Sequence, residues 1–255
     1  MTARGLILRL KAIREPELRR IHLAGLLEAG DPAVWVEVLD ALIGLAARTD
    51  DADAQAIVEC LTQAVAVPRL SYRAREALYT EARQVGRGAV ARLFLDASPA
   101  TANARELERA LEPERPLQPR GRPLTLGERK AAARTSRRDI LIALVRDPHP
   151  DVVAVLLDNP HLTERDVVAI AALRPAAPPA LVKVAEHPRW STRYLVKRAV
   201  VLNPYTPANV AIRISTTLRR LDLAAIAADV NLPDVLRLHA AELLAAARRP
   251  ARGDG

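Results

Sequence analysis

Apolar residues recur at helical spacing through most of the chain, as in Ile140/Leu144, Val167/Ile170/Ala171 and Leu195/Ala199/Leu202. Each set gives a helix one buried stripe. Between the stripes stands polar punctuation that repeats. Pro68-Arg69-Leu70-Ser71-Tyr72-Arg73, Pro160-His161-Leu162-Thr163-Glu164-Arg165 and Pro188-Arg189-Trp190-Ser191-Thr192-Arg193 share one pattern, and the last two lie 28 positions apart (188 − 160). A second proline ladder, Pro148, Pro175, Pro204 and Pro233, interleaves with steps of 27, 29 and 29. A period of this length suits two short helices per unit.

Proline lacks an amide hydrogen and disfavours helical geometry for the residue before it, so Asn159-Pro160, His187-Pro188 and Asn203-Pro204 are expected to end helices. Ser71, Thr163 and Ser191 then suit the N-cap, where a hydroxyl accepts from an otherwise orphaned amide and its loss costs ~1 kcal/mol. Thr206-Pro207 and Asp31-Pro32 give the same start signal with proline at the first helical position. On this register Ser136-Arg137-Arg138-Asp139, Thr163-Glu164-Arg165-Asp166 and Ser191-Thr192-Arg193-Tyr194 open equivalent helices. A fourth unit at Thr217-Leu218-Arg219-Arg220 fits less well, and the helix beginning near Pro233 reads as a closing cap ended by Pro250.

These patterns predict an all-α protein whose residues 125–247 form a right-handed α-solenoid of short helical hairpins with a period of about 28 residues. Residues 1–112 form an N-terminal helical domain with candidate helices at 16–29, 32–48, 53–66, 71–85, 88–97 and 102–112, either degenerate repeats or a packed bundle. Pro113, Pro116, Pro119 and Pro123, with Gly121 between Arg120 and Arg122, make 113–124 a semi-extended linker. After it, Thr125-Leu126-Gly127-Glu128 has the form of a capping box, and 248–255 reads as a disordered tail.

Composition narrows the core to Ala, Leu, Val and Ile, because half of the residues are hydrophobic and only 3% are aromatic. The net charge of +8 is uneven: residues 113–138 hold 8 basic and 2 acidic side chains. Cys60 is the single cysteine, which excludes an internal disulfide and fits a reducing cytoplasm. Arg4, Arg9, Lys11 and Arg14 interrupt the first apolar residues, so no export signal is expected, and no run approaches the ~18 apolar residues needed for a membrane span. Lysine occurs only at Lys11, Lys130, Lys183 and Lys197 against many arginines, a bias of GC-rich bacterial genomes.

Candidate chemistry is sparse. The chain has no Gly-rich phosphate loop, no pair of histidines at i and i+4 beside a glutamate and no Cys-x-x-Cys, so no catalytic residue, cofactor or metal is assigned. His149, His161 and His187 fall in inter-helix turns and read as solvated residues, and Asp139, Asp166 and Glu186 as surface charges near helix ends. The recurring Arg73, Arg138, Arg165 and Arg193 stand near helix N-termini, the wrong end for a cation. Either an Arg-to-Asp ladder through Asp139 and Asp166 offsets them, or they form a line of anion-binding forks. Arg193 and Lys197 share a helix face, with Arg189, Lys183 and Arg198 close by in the chain. The partner-binding set is therefore Arg138, Arg165, Arg189, Arg193, Tyr194 and Lys197. Trp190 is read as a hydrophobic staple with Leu195, as Leu162 with Val167, which leaves Tyr194 as the exposed aromatic.

The turns Asp147-Pro148-His149-Pro150-Asp151-Val152 and Asn203-Pro204-Tyr205-Thr206-Pro207 resemble those of bacterial leucine-rich-repeat-variant and HEAT-like helical repeats over 125–247 and, more weakly, 53–97. Leu126-Gly127-Glu128-Arg129-Lys130 and 189–207 are similar to stretches in uncharacterised proteins of GC-rich bacteria. The resemblance implies the solenoid and nothing catalytic. Some HEAT-like relatives are DNA glycosylases that remove alkylated bases, but their catalytic Asp and its aromatic surroundings have no matching position here. The expectation is a cytoplasmic, non-catalytic scaffold or adaptor that binds an acidic protein partner along the arginine-bearing edge. The alternative is a DNA- or RNA-binding protein, including an alkylpurine glycosylase-like enzyme.

Overall fold

A computed structural model of the chain describes residues 1–48, 51–66, 70–95, 124–147 and 149–248, and all of its regular structure among these residues is helical. The expected helix at 102–112, the linker up to Pro123, the prolines Pro68, Pro148 and Pro250 and the tail beyond Arg248 lie outside the described residues. Two compact units are formed: the described parts of Met1–Ser98 and Ile212–Gly255 make one, and those of Pro99–Ala211 make the other.

The first unit holds α1 (Ala3–Lys11), α2 (Pro16–Ala29), α3 (Pro32–Arg48), α4 (Ala52–Ala66), α5 (Tyr72–Gln84) and α6 (Gly88–Leu93). Helix α1 was not anticipated. Thr2 caps it, and Ala3, Leu6, Ile7 and Leu10 form its buried stripe while the cations occupy the other face. Ser71 caps α5 as expected, accepting from the amide of Ala74 at 3.2 Å. Helix α6 ends at Leu93, short of the expected 97.

Helix α3 is buried on several sides, including Trp35, Val36, Leu39, Leu42 and Ile43, and so requires cover from more than one direction. Helices α4 and α5 supply part of it, and the rest comes from much later in the chain. There α14 (Arg220–Ala228) and α15 (Asp234–Arg248) pack together, and α15 lies on α3 and α6. At Gly44 a Cβ would stand 2.9 Å from the Ala246 carbonyl oxygen, so glycine permits this close approach. The C-terminal helices α14 and α15 thus group with the N-terminal helices in the first unit. Helix α15 buries Leu236, Ala240, Leu243 and Ala247 and belongs to the α3 core.

The second unit holds α7 (Leu126–Ala132), α8 (Arg138–Leu144), α9 (Pro150–Leu157), α10 (Glu164–Ala172), α11 (Pro178–Glu186) and α12 (Tyr194–Val201). Helix α13 (Ala208–Ser215) carries the chain from this unit to the other. Alternate helices pack on one another: α7 on α9, α9 on α11, α10 on α12. Their starts fall at 138, 164 and 194 in one series and at 150 and 178 in the other, so no single spacing holds.

Thr125 and Thr163 form capping boxes with Glu128 and Asp166. Ser136 and Ser191 cap nothing, because α8 begins one residue later and α12 two residues later than such caps would set, with Arg137 and Arg193 at their N-caps. After Pro188 the chain makes a further turn, in which the amides of Trp190 and Ser191 both donate to the His187 carbonyl. The later start rotates the apolar stripe of α12 to Val196, Val200 and Val201, and Leu195 is 56% exposed. The expected staple between Trp190 and Leu195 therefore does not form, whereas Leu162 and Val167 are both buried.

Candidate functional site

The turns of the second unit are built on one device. Asp147, Asn159, His187 and Asn203 each follow a helix, and the side chain of each accepts from the amide two residues on, at 2.9, 2.8, 3.2 and 3.1 Å. Short polar side chains at such positions replace the missing continuation of the helix. The same residues also reach to another turn. Asn159 donates from its amide to the carbonyls of Ala133 and Thr135, and Asn203 donates to those of Ala171 and Leu173, every bond 2.8 Å long. These carbonyls lie at or just beyond the C-terminal ends of α7 and α10, so each asparagine satisfies the orphaned end of the helix on which its own helix packs.

Other members of the set use different chemistry for a similar end. The Trp190 indole N–H donates to the Leu157 carbonyl at 2.8 Å, with the ring only 2% exposed. His187 binds Asp158 through Nε2 at 3.1 Å. Arg129 and Asp147 form a buried pair with two contacts of 2.7 Å. The sequence marks Asn159, His187 and Asn203 only as helix stops. That a polar side chain precedes proline was the available signal; which carbonyl it would reach depends on the packing. Two of the turn histidines are likewise structural, since Nδ1 of His149 accepts from the Asp151 amide and that of His187 from the Arg189 amide, whereas His161 is exposed.

The anticipated partner-binding residues divide into three groups. Arg138 is consumed: its two terminal nitrogens donate to the two carboxylate oxygens of Asp166, both at 2.6 Å. Burial works to raise the Asp166 carboxyl, but the bonds from Arg138 and Thr163 outweigh it and hold it at about 2. The expected ladder thus has one rung, because Asp139 pairs with Arg137 at 2.7 Å instead.

Arg189 lies with its guanidinium carbon 4.2 Å from the Trp190 ring centroid and points nitrogens toward the Asn159 and Leu162 carbonyls at 3.4 Å. Neither contact neutralises its charge. Tyr194 and Lys197 are half-buried, and neither is without a partner.

Arg165 and Arg193 make up the third group. Both are exposed, and neither enters an ion pair among the described residues; Lys183 on α11 is in the same condition. Arg165 stands in the first turn of α10 and Arg193 occupies the N-cap position of α12 without a capping bond, and these two helices are packed neighbours. Exposed guanidinium forks of this kind can hold a carboxylate or a phosphate through paired hydrogen bonds.

Several charged and polar groups of the first unit are paired or buried. Arg92 pairs with Glu242 of α15, and Arg87 is bound to Glu37 at 3.0 Å. His239 is fully buried, with Nε2 3.1 Å from the Thr216 hydroxyl and Nδ1 unpartnered. Burial, and then the charge of Arg92, push the imidazole down to about 3. Burial raises the Cys60 thiol to about 11, which leaves it protonated at neutral pH. Among the described residues no group of His, Cys, Asp and Glu could hold a metal ion, and no helix is long and apolar enough to cross a membrane.

No family model, no curated protein and no solved structure matches the chain at a significant level.

Proposed function

We propose that this protein is a non-catalytic, cytoplasmic scaffold or adaptor, in which the helices of 125–211 stack as a HEAT-like solenoid and present Arg165, Arg189 and Arg193 to an acidic protein partner. Packing of alternate helices and the recurring turn device support the stacking part of this reading. One observation carries the binding part: packed neighbours α10 and α12 each expose an arginine that no acid of the described residues neutralises. Such a pair raises the local potential and steers an acidic surface toward it.

Nucleic-acid binding is the second reading, and the burial of Trp190 speaks against it. An indole that is 2% exposed and donates its N–H internally offers no face to a base. A pull-down from the native host with the wild type and an Arg165→Glu/Arg193→Glu variant tests the proposal. Loss of specific partners from the variant is expected, and identical partners on both would overturn it. A gel shift that weakens steeply with salt would favour nucleic acid instead.

A further inference from the structure

The fold contains its own example of what an arginine in this position binds. Arg138, at the start of α8, is satisfied by the Asp166 carboxylate of α10, through two hydrogen bonds of equal length. The sequence motif aligns Arg165, second residue of α10, with Arg138, first residue of α8, and α12 packs on α10. Helix α12 has no acidic residue in its first turn, and Tyr194 stands at the place that the sequence register gives to Asp166. The carboxylate beside Arg165 on its own helix is committed, since Asp166 is bound by Arg138 and Thr163. Glu164 precedes Arg165 in the chain, yet no salt bridge joins them. Arg165 is therefore a cation in a first helical turn, where the helix dipole disfavours it, without the acid that its counterpart has.

We propose, resting on the adaptor reading above, that Arg165 is the docking point for a carboxylate of an acidic protein segment, with Arg193 at the start of the packed helix α12 as the second contact. The incoming Asp or Glu side chain takes the role toward Arg165 that Asp166 takes toward Arg138. Planar, two-point recognition of a carboxylate by a guanidinium supplies the selectivity. Arg138, although more basic residues surround it in sequence, is excluded as a contact because its fork is already filled.

The experiment compares Arg165→Met with Arg138→Met, both of which keep an apolar stem and remove one charge. Binding of a short fluorescein-labelled poly-glutamate peptide is read by anisotropy, with folding checked by circular dichroism and thermal melting. Arg165→Met should weaken the peptide by ~10-fold or more while leaving the melting temperature unchanged. Arg138→Met should lower the melting temperature and leave the affinity within about twofold. Equal weakening by both folded variants would overturn the assignment, because it would report diffuse positive charge. Retained affinity in Arg165→Met would overturn it while sparing the adaptor reading, and failure of the wild type to bind the peptide would sink both. Displacement of the peptide by a short DNA strand at lower concentration than by free poly-glutamate would reassign the arginine to phosphate.

Discussion

The two units reach stability by different routes. In the first, α2 to α5 and α15 run 13 to 17 residues, and α4, α5 and α15 pack on the broadly buried α3. In the second, α7 to α12 run only 7 to 9 residues, lengths at which an isolated helix is marginal in water. The short helices are joined instead by turn side chains that reach from one helix end to another, and a buried Arg129–Asp147 pair stands among them. Short helices expose many unpaired carbonyls for each apolar residue they bury. The unit with short helices therefore places its most constrained polar groups in its turns.

The sharpest break in this contrast is Asp147→Ala, which leaves a buried guanidinium without its acid. It should cost about 3–5 kcal/mol by chemical denaturation. A core truncation in the other unit, Leu61→Ala, should cost a similar ~2–5 kcal/mol through a cavity. The first loss follows from charge and the second from volume, so Leu at 147 should not rescue the first, whereas Met at 61 should largely rescue the second.

Acid should separate the two units. The folded pKa of His239 lies near 3, below its usual 6.5, so its contribution is complete above about pH 6.5 and fades as pH falls toward 3. Asp166, held at about 2 against a usual 3.8, contributes fully above about 3.8 and fades only as pH falls toward 2. Hydrogen exchange between pH 6.5 and 4 should show α15 losing protection while α10 keeps it, and His239→Leu should flatten the slope for α15. Simultaneous loss in both helices would remove the contrast.

The smallest effect concerns caps. Thr163→Ala should cost ~1 kcal/mol, because its hydroxyl and Asp166 close a capping box. Ser191→Ala should stay within about 0.5 kcal/mol, because the turn before α12 leaves that hydroxyl outside the cap. Equal losses would mean that α12 starts where the sequence register put it.

Much of the helical content was legible because it is written in local chemistry. Pro16, Pro32, Thr125 and Thr163 mark helix starts whose geometry depends on a few adjacent residues, and Asn159 and Asn203 mark the stops. The errors have an equally local cause. Ser191 satisfies the rule for a cap, but burial of the Trp190 ring and its bond to Leu157 prolong the turn and move the helix start. Helix α1 is the least legible, because Arg4, Arg9 and Lys11 interrupt its short apolar stripe along the chain. Of the site, the sequence picked out the arginines, but that Arg138 is neutralised while Arg165, Arg189 and Arg193 are not emerged only when their partners were seen.

By itself the sequence determined that the chain is helical, where most helices begin and end, and that cations recur near helix starts, since capping, proline sterics and periodicity act within a few residues. The tertiary structure alone decided that α15 returns to α3, that Asn159 and Asn203 serve helices more than twenty residues earlier, and that Arg138 is spent on Asp166 while Arg165 is not. Those outcomes depend on distances between residues far apart in the chain, which no local rule contains.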